Sequence, residues 1–580
     1  MRALQAAGLG LLLMLGGCQT QAPLVCGDPA STIGQIQGSK PRSELVGQQV
    51  IVEGVVTAVQ RDEENRISGV FLQSAAPDND PQTSDALFAV GVEADSGDRV
   101  RVAGTVTELD KTLTAVESRR FEACGDAVVP APSPVFLPLR GRHIESLEGM
   151  LITVTSDMRF SGVTWFGGSG QAVVAAGGRL LSPTEVAEPG RIASEMRVNN
   201  LRRSIALDDL SDRRDLSEIS WWPNGRSRLP AMGQKVGNLT GVLDHRGGYR
   251  LRLTETVTPE PTQPRAAPAA PARAGSLRVV GFNVLNLFNG NGRGGGFPTT
   301  RGARTEAEYL RQQRKLVAAL TALDADILAL QELENDGTDP GSAAADLAQA
   351  LSEASGRAYQ TIGWPGGQRG GDQIAVGLMY ASDVVAPVGD AHTKLDGPFE
   401  YYNRPPLAQT FRHLDSGRSL AVVSLHLKSK GCGEASGKYA DQRDGQGCWN
   451  PKRVEAAEAI ADWLDDESEL NASETLLIGD FNAYSREDPV QALTRRGFRS
   501  AVSRREPQYS YVFRGAAGSL DQALAGRALS GRIAAASYWH VNADFPAWLD
   551  YRQGNRPEGL FKSDPVRSSD HDPMVVDFRL

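Results

Sequence analysis

The stretch Thr475-Leu476-Leu477-Ile478-Gly479-Asp480-Phe481-Asn482 has two halves of opposite character. Leu476, Leu477 and Ile478 form an apolar run suited to a buried strand. Gly479 then frees the backbone just before a carboxylate and an amide, so Asp480 and Asn482 emerge together at a strand end. Two oxygen-bearing side chains two residues apart can face one hard cation or one phosphate. Taken alone, the same letters also describe a strand closed by an Asx turn. The surrounding chain has to decide between a turn and a site.

Strands and helices alternate on the N-terminal side of this stretch. Residues 277–284, LRVVGFNV, read as a strand, followed by a Gly-rich loop at 290–296. That loop lacks a following GK[ST], which excludes a P-loop nucleotide site. Thr305 and Glu308 have the T-x-x-E spacing of a capping box, and Leu316, Val317, Leu320 and Leu323 recur at helical spacing. Residues 327–330 form the next strand and deliver Gln331 and Glu332. The alternation resumes with SLAVVSLHL at 419–427 and a helix near 453–464. Polar residues keep arriving at strand ends: Asn283, Glu332, His426, and Asp480 with Asn482. Asp521 and the pair Asp570-His571 complete the series. One such residue is a turn residue; six groups in an α/β layout, whose ligand sites lie beside strand ends, point to a pocket.

A chain of 580 residues is too long for one core, and its net charge of -9 does not suit a protein that holds nucleic acid by charge alone. Arg2 precedes an apolar run at 6–15 that is too short to cross a bilayer and reads as a signal peptide. Leu15-Gly16-Gly17-Cys18 resembles the bacterial lipobox, which implies acylation of Cys18 and anchoring at the outer membrane; an ordinary secretory signal with release is the alternative. With Cys18 acylated, the four remaining cysteines can pair as Cys26 with Cys124 and Cys432 with Cys448. A four-thiolate zinc site would need CxxC spacing, which is missing.

Residues 1–18 are thus the expected signal peptide and 19–32 a tether. Alternating strands at 49–59, 70–73, 87–92 and 100–109 make 33–130 a small antiparallel β-module. A second β-rich module covers 131–258, in which Trp165 with Phe166, and Trp221 with Trp222, either are core or interface aromatics or stack on bases. Pro, Ala and Thr dominate 259–275, an extended linker, and the α/β region fills 276–580.

The ordered set FN, QE, SLHLKS, GDFN, LDQAL and SDHDP resembles the endonuclease/exonuclease/phosphatase superfamily. NRPPL, HLKSKG, DGQGCWN, WHVNADFP and RSSDHDP bring it nearer to the bacterial extracellular nucleases within that superfamily. The resemblance implies a four-layer α/β sandwich, two mixed sheets with helices outside, preceded by OB-like β-modules. It implies Mg2+ or Mn2+ held by Glu332 with Asn283 and Asp570. His571 becomes the general base, oriented by Asp521, while Asp480 and Asn482 orient water or the phosphoryl group. His426 either protonates the leaving group or contacts phosphate, and Arg404 and Lys428 supply positive charge to the phosphate.

Lys428, Lys430, Arg443 and Arg453 form either a phosphate groove or a solvated face, and Arg301, Arg304, Arg311, Arg314 and Lys315 a basic helix surface. The loop 441–447, DQRDGQG, offers oxygen donors for Ca2+ or is an ordinary turn. The expected protein is an exported metal-dependent nuclease acting on DNA, with RNA a further substrate and no protein partner indicated. The alternatives are a phosphatase or phospholipid phosphodiesterase, and an inactive nucleic-acid or cell-surface binding lipoprotein.

Overall fold

The computed structural model describes residues 23–139, 144–214, 218–223, 229–260, 269–290, 296–467, 470–503, 508–554 and 559–580. The signal peptide with Cys18, the first part of the tether and most of the Gly-rich loop lie outside the described residues.

Two six-stranded sheets face each other in the C-terminal half. The first runs in the order Tyr359–Thr361, Ile374–Ala381, Ile327–Glu334, Leu277–Leu287, Met574–Phe578, Ile533–Tyr538. The second runs Val385–Thr393, Leu407–His413, Ser419–His426, Thr475–Asp480, Asp521–Ala525, Arg499–Ser500. Successive side chains of a strand point to opposite faces. Val279, Ile327 and Ala329 therefore meet Val422, Leu476 and Ile478 between the sheets. Their neighbours Val280, Leu328 and Leu330 turn outward to Leu316, Leu320 and Leu347 of helices Glu306–Leu323 and Ala343–Ser355. Val423 and Leu477 likewise pack on Ile460, Leu464 and Leu493 of helices Asn450–Asp466 and Asp488–Arg495. Helix, sheet, sheet and helix make four layers, and apolar residues on both faces explain why the strands read as unbroken apolar runs.

Two sequence expectations change in the first helix. Thr305 Oγ1 accepts from Glu308 N (3.2 Å), but Glu308 reaches back to Arg304 N (2.8 Å) instead of completing the capping box. Lys315 is not on a basic surface: it is 1% exposed, and its ammonium donates to Val566 O at 2.8 Å.

The N-terminal strands β1 (Gln49–Arg61), β2 (Ile67–Gln73), β3 (Ala86–Val90), β4 (Asp98–Leu109) and β5 (Leu113–Asp126) close a barrel in the order β1-β2-β3-β5-β4. The barrel is not wholly antiparallel, because β3 and β5 pair in parallel. Cys26 is joined to Cys124 at the end of β5, and Cys432 to Cys448. A nine-stranded sheet between Ser133 and Pro259 follows. Its edge strand, Thr258–Pro259, begins what reads in sequence as linker, and Ala274 N at the linker's other end donates to Asp577 Oδ2 (2.8 Å).

This second module is built into the C-terminal half. Leu180–Leu181 pairs in parallel with Ala516–Gly518. Phe166, Trp221 and Trp222 pack edge to face in its core, and Trp548 joins them, whereas Trp165 is exposed and not part of this core. Gly167 is required there, since a Cβ would lie 2.1 Å from the Trp548 ring. Glu185 is buried and accepts from Ser485 Oγ (2.7 Å) and Ser519 N (2.9 Å). Burial pushes this carboxyl from 4.5 up to about 7. The folded state then holds the proton more tightly than the unfolded chain, so the contribution is complete below 4.5 and is lost as pH rises through about 7. Urea unfolding of wild type and Glu185→Gln should show the difference moving in the variant's favour between pH 4.5 and 7.5, by at most about 3 kcal/mol. A pH-independent difference would remove Glu185 as a titrating contact.

Candidate active site

Strand register assembles the pocket. In the second sheet His426 stands opposite Asp480, and Asp480 opposite Asp521, so three functional groups are abreast on neighbouring strands. In the first sheet Asn283 pairs with Gln331, which places Glu332 beside it. Asn283 Nδ2 donates to Glu332 Oε1 (3.1 Å) and to Asp480 Oδ2 (3.2 Å), tying the two sheets together at the site. Gly479 permits this approach: its φ is +144°, and a Cβ would lie 2.2 Å from Leu425 O and 2.9 Å from Gln331 Nε2.

Glu332 and Asn482 both sit in the left-handed region, at φ 65° and 48°. Asn tolerates this locally, whereas Glu does so at a cost of order 1 kcal/mol. Asn286 N donates to Glu332 Oε2 (2.9 Å) and fixes the carboxylate. Asp480 Oδ1 accepts from Asn482 N (2.8 Å), so the Asx turn is present within the site rather than instead of it.

His571 Nδ1 donates to Asp521 Oδ2 at 2.7 Å, leaving Nε2 as the nitrogen available for proton transfer. Ser510 Oγ donates to the same Asp521 oxygen, and Tyr511 packs against the imidazole with ring centroids 4.7 Å apart. Burial alone would lower the imidazole, but Asp521, with Asp480 and Asp570, holds it well above its ordinary value. His426 behaves oppositely: burial first, then Arg404 and His571, hold it well below. Its Nε2 is 3.5 Å from Asp480 Oδ2, and its buried Nδ1 has no hydrogen-bond partner among the described residues.

The positive side of the pocket differs from the sequence reading. Arg404 is buried and donates to Asp372 Oδ2 (2.9 Å) and Leu427 O (3.1 Å), so its charge is shared with a carboxylate. Lys428 holds its ammonium 5.3 Å from the Trp449 ring centroid. Lys430 and Arg453 form neither a groove nor a solvated face. Lys430 pairs with buried Glu487, and Arg453 donates to Cys448 O (2.8 Å) and Gln446 O (2.8 Å), fastening the loop before its own helix. In that loop Asp441 and Asp444 cap backbone N–H groups of Arg443 and Gln446, and among the described residues no third carboxylate or histidine joins them to make a Ca2+ cluster.

Sequence reasoning missed Asp372, Ser510 and Tyr511, which carry no motif, and the role of Asp572. Asp572 Oδ1 accepts from Asn542 N (2.8 Å) and Ala543 N (2.9 Å), and its other oxygen pairs with His540 Nδ1 at 2.9 Å. It thereby locks the WHVNADFP segment behind His571. The second D of SDHDP was the available signal.

The donor set fits a hard divalent cation. Burial, and then the neighbouring Asp570 charge, raise Glu332; burial and Asp521 raise Asp480. Asp521 Oδ1 is buried without a hydrogen-bond partner, and Asp480, Asp521 and His571 each place a donor atom within 4.8 Å of the others. Buried carboxylates crowded in this way are relieved by a cation. Asn283 presents its amide nitrogen to the carboxylates while its oxygen accepts from Leu285 N (3.1 Å), so in this arrangement it aligns Glu332.

Comparison with known proteins follows the same residues. The Endonuclease/Exonuclease/phosphatase family matches residues 280–571. Among solved structures, similar chains include an endonuclease/exonuclease/phosphatase from Bacteroides vulgatus, at 13% identity and a TM-score of 0.34, covering 52% of this chain and 98% of that one. The human Nocturnin catalytic domain is 16% identical, with a TM-score of 0.32 and coverage of 53% and 96%. An AP endonuclease from Archaeoglobus fulgidus is 13% identical, with a TM-score of 0.32 and coverage of 52% and 100%. No curated protein matches the chain. Because the family match spans half of the chain and runs from the first strand of the sandwich to His571, this protein belongs to the endonuclease/exonuclease/phosphatase family, whose members hydrolyse phosphate esters and generally use divalent metals.

Proposed function

We propose that this protein is an exported, lipid-anchored nuclease that hydrolyses phosphodiester bonds of extracellular DNA, with RNA a further substrate, and that it requires Mg2+ or Mn2+. The observation that carries the reading is the His571–Asp521 pair held 2.7 Å apart beside Asp480, which Asn283 ties to Glu332. In this reading His571 Nε2 takes a proton from the attacking water, and Asp521 stabilises the imidazolium that results. Asp480 and Asn482 orient the water. His426, kept neutral, donates a hydrogen bond to a phosphoryl oxygen, and Arg404 and Lys428 face the phosphate. A bound cation, held by Glu332 with Asp570, would polarise the phosphoryl oxygen and steady the leaving oxygen.

An aromatic and lysine strip supports a polymeric nucleic-acid substrate over a small phosphate ester. Trp449 lies between Tyr402 (4.8 Å) and Tyr439 (5.3 Å), with Lys428 over the indole and Lys452 over both tyrosines. Tyr402 is 50% exposed and its neighbour Tyr401 71%, which leaves faces for bases to stack on. Tyr402→Ala should raise KM for DNA about 10-fold, the low end of what a lost base-stacking contact costs, with hydrolysis of bis(p-nitrophenyl) phosphate unchanged. Equal loss on both substrates would remove the strip from substrate binding. The barrel order β1-β2-β3-β5-β4 supports an OB-like reading of the N-terminal module.

The direct test offers the purified protein plasmid DNA, RNA, sphingomyelin and a phosphate monoester, each with Mg2+. Cleavage of DNA supports the proposal; cleavage of lipid or monoester alone overturns it. Radiolabelled palmitate incorporation into wild type and not into Cys18→Ala tests the anchor.

A further inference from the structure

Far from the catalytic pocket in sequence, Glu145, Glu148 and His245 converge where the barrel meets the nine-stranded sheet. Glu145 lies on the short turn Ile144–Leu147, Glu148 just beyond it, and His245 in the hairpin between strands Leu239–Asp244 and Arg250–Leu253. His245 Nδ1 is 3.6 Å from Glu145 Oε2 and 3.7 Å from Glu148 Oε2. These separations are too long for hydrogen bonds. They are close to the roughly 3.3–3.6 Å between two ligands that share a metal at ~2.0–2.2 Å in tetrahedral geometry.

A second observation is independent of the clustering. Glu148 is 1% exposed, yet its Oε2 has no hydrogen-bond partner among the described residues, and neither does the buried Nδ1 of His245. Buried polar atoms are normally satisfied, and two that face each other across a gap imply a missing partner. Neighbouring groups hold these side chains as the outer partners of metal ligands usually do, Glu145 through the same oxygen that faces His245. Glu148 Oε1 accepts from Thr114 N (2.8 Å) and Gln37 Nε2 (3.4 Å), both from the barrel module. Tyr249 donates its hydroxyl to Glu145 Oε2 and stacks on the His245 ring at 3.8 Å and 7°. The adjacent cation, Arg246, is turned away to Asp244 (2.9 Å).

We propose that Glu145, Glu148 and His245 form a divalent-metal site of the zinc class that clasps the barrel to the second β-module. Two carboxylate oxygens and one imidazole nitrogen suit Zn2+, with water as the fourth ligand. Glu148 is anchored to the barrel by Thr114 and Gln37, while Glu145 and His245 belong to the nine-stranded module. Binding therefore stabilises the junction between them. The site is independent of the nuclease reading, since none of its residues takes part in the catalytic pocket.

The test uses the full chain stripped of metal, titrated with Zn2+ by calorimetry and followed by thermal unfolding. His245→Phe retains the stacking on Tyr249, and Glu148→Gln retains an acceptor for Thr114 N. Each variant should bind one Zn2+ fewer than wild type, with affinity at this site reduced at least ~100-fold, beyond the loss expected of an outer partner. Zn2+ should raise the Tm of wild type by several degrees more than that of either variant, and phosphodiester cleavage in Mg2+ should be unchanged. Wild-type Zn2+ stoichiometry in both variants, or the same Tm shift, overturns the proposal. If His245→Phe does not fold, Glu145→Gln, at the more exposed ligand, gives the same reading.

Discussion

His571→Ala lowers the turnover of plasmid DNA by at least ~100-fold, the scale of a lost general base, while circular dichroism and Tm remain near wild type. The expectation rests on the isolation of the imidazole's role: its packing partner is Tyr511, and its hydrogen-bond partner Asp521 is held independently by Ser510. The pH profile supplies a sharper readout than the loss itself. Burial lowers this imidazole, but Asp521, Asp480 and Asp570 together hold it well above its ordinary 6.5. A base must be unprotonated to act, so the rising limb of kcat/KM should lie above that value in wild type, and Asp521→Asn should move it to lower pH while reducing the maximum. Wild-type turnover in His571→Ala would reassign the base, and His426 would be the next residue to change. A limb that does not move in Asp521→Asn would reduce Asp521 to a purely structural contact.

Chelation has the second large effect. Dialysis against EDTA should lower cleavage by ~1000-fold or more, because Lewis-acid stabilisation of the transition state is worth several kcal/mol and each 1.36 kcal/mol is about tenfold. Mg2+ or Mn2+ should restore it. The carboxylates supply the reason: burial and neighbouring acids disfavour the charged forms of Glu332 and Asp480, a crowding that a bound cation relieves. Glu332→Gln should require far higher Mg2+ for half-maximal rate, which separates loss of the ligand from loss of the fold. Full activity in EDTA would take the cation out of the reaction. Zn2+ added during this rescue would also fill the Glu145, Glu148 and His245 cluster, so Mg2+ is the cleaner choice.

Much of the sandwich was readable because its information is local. The apolar runs at 327–330 and 476–478 needed only neighbouring letters to be read as strands, and both lie in strands buried on both faces. The residues at their ends, Glu332, Asp480 and Asn482, could be nominated for the same reason. Charges were read less well. Lys315, Lys430 and Arg453 look like surface in any window, yet Lys315 and Arg453 are buried against backbone carbonyls and Lys430 is partly buried against Glu487. Arg404 was legible as a cation but not as one already paired with Asp372.

By itself, then, the amino-acid sequence determined the strand-helix alternation, the order of the polar strand ends, and the resemblance that their motifs carry. Tertiary structure alone decided that Asn283 joins the two sheets through Glu332 and Asp480. It also decided that the second β-module reaches the catalytic half through Leu180–Leu181, Glu185 and Trp548. The physical reason is the range of each interaction. Periodicity and turn chemistry act over a few residues, whereas a buried carboxylate or cation is satisfied by whichever partner the packing of distant elements brings within hydrogen-bond distance.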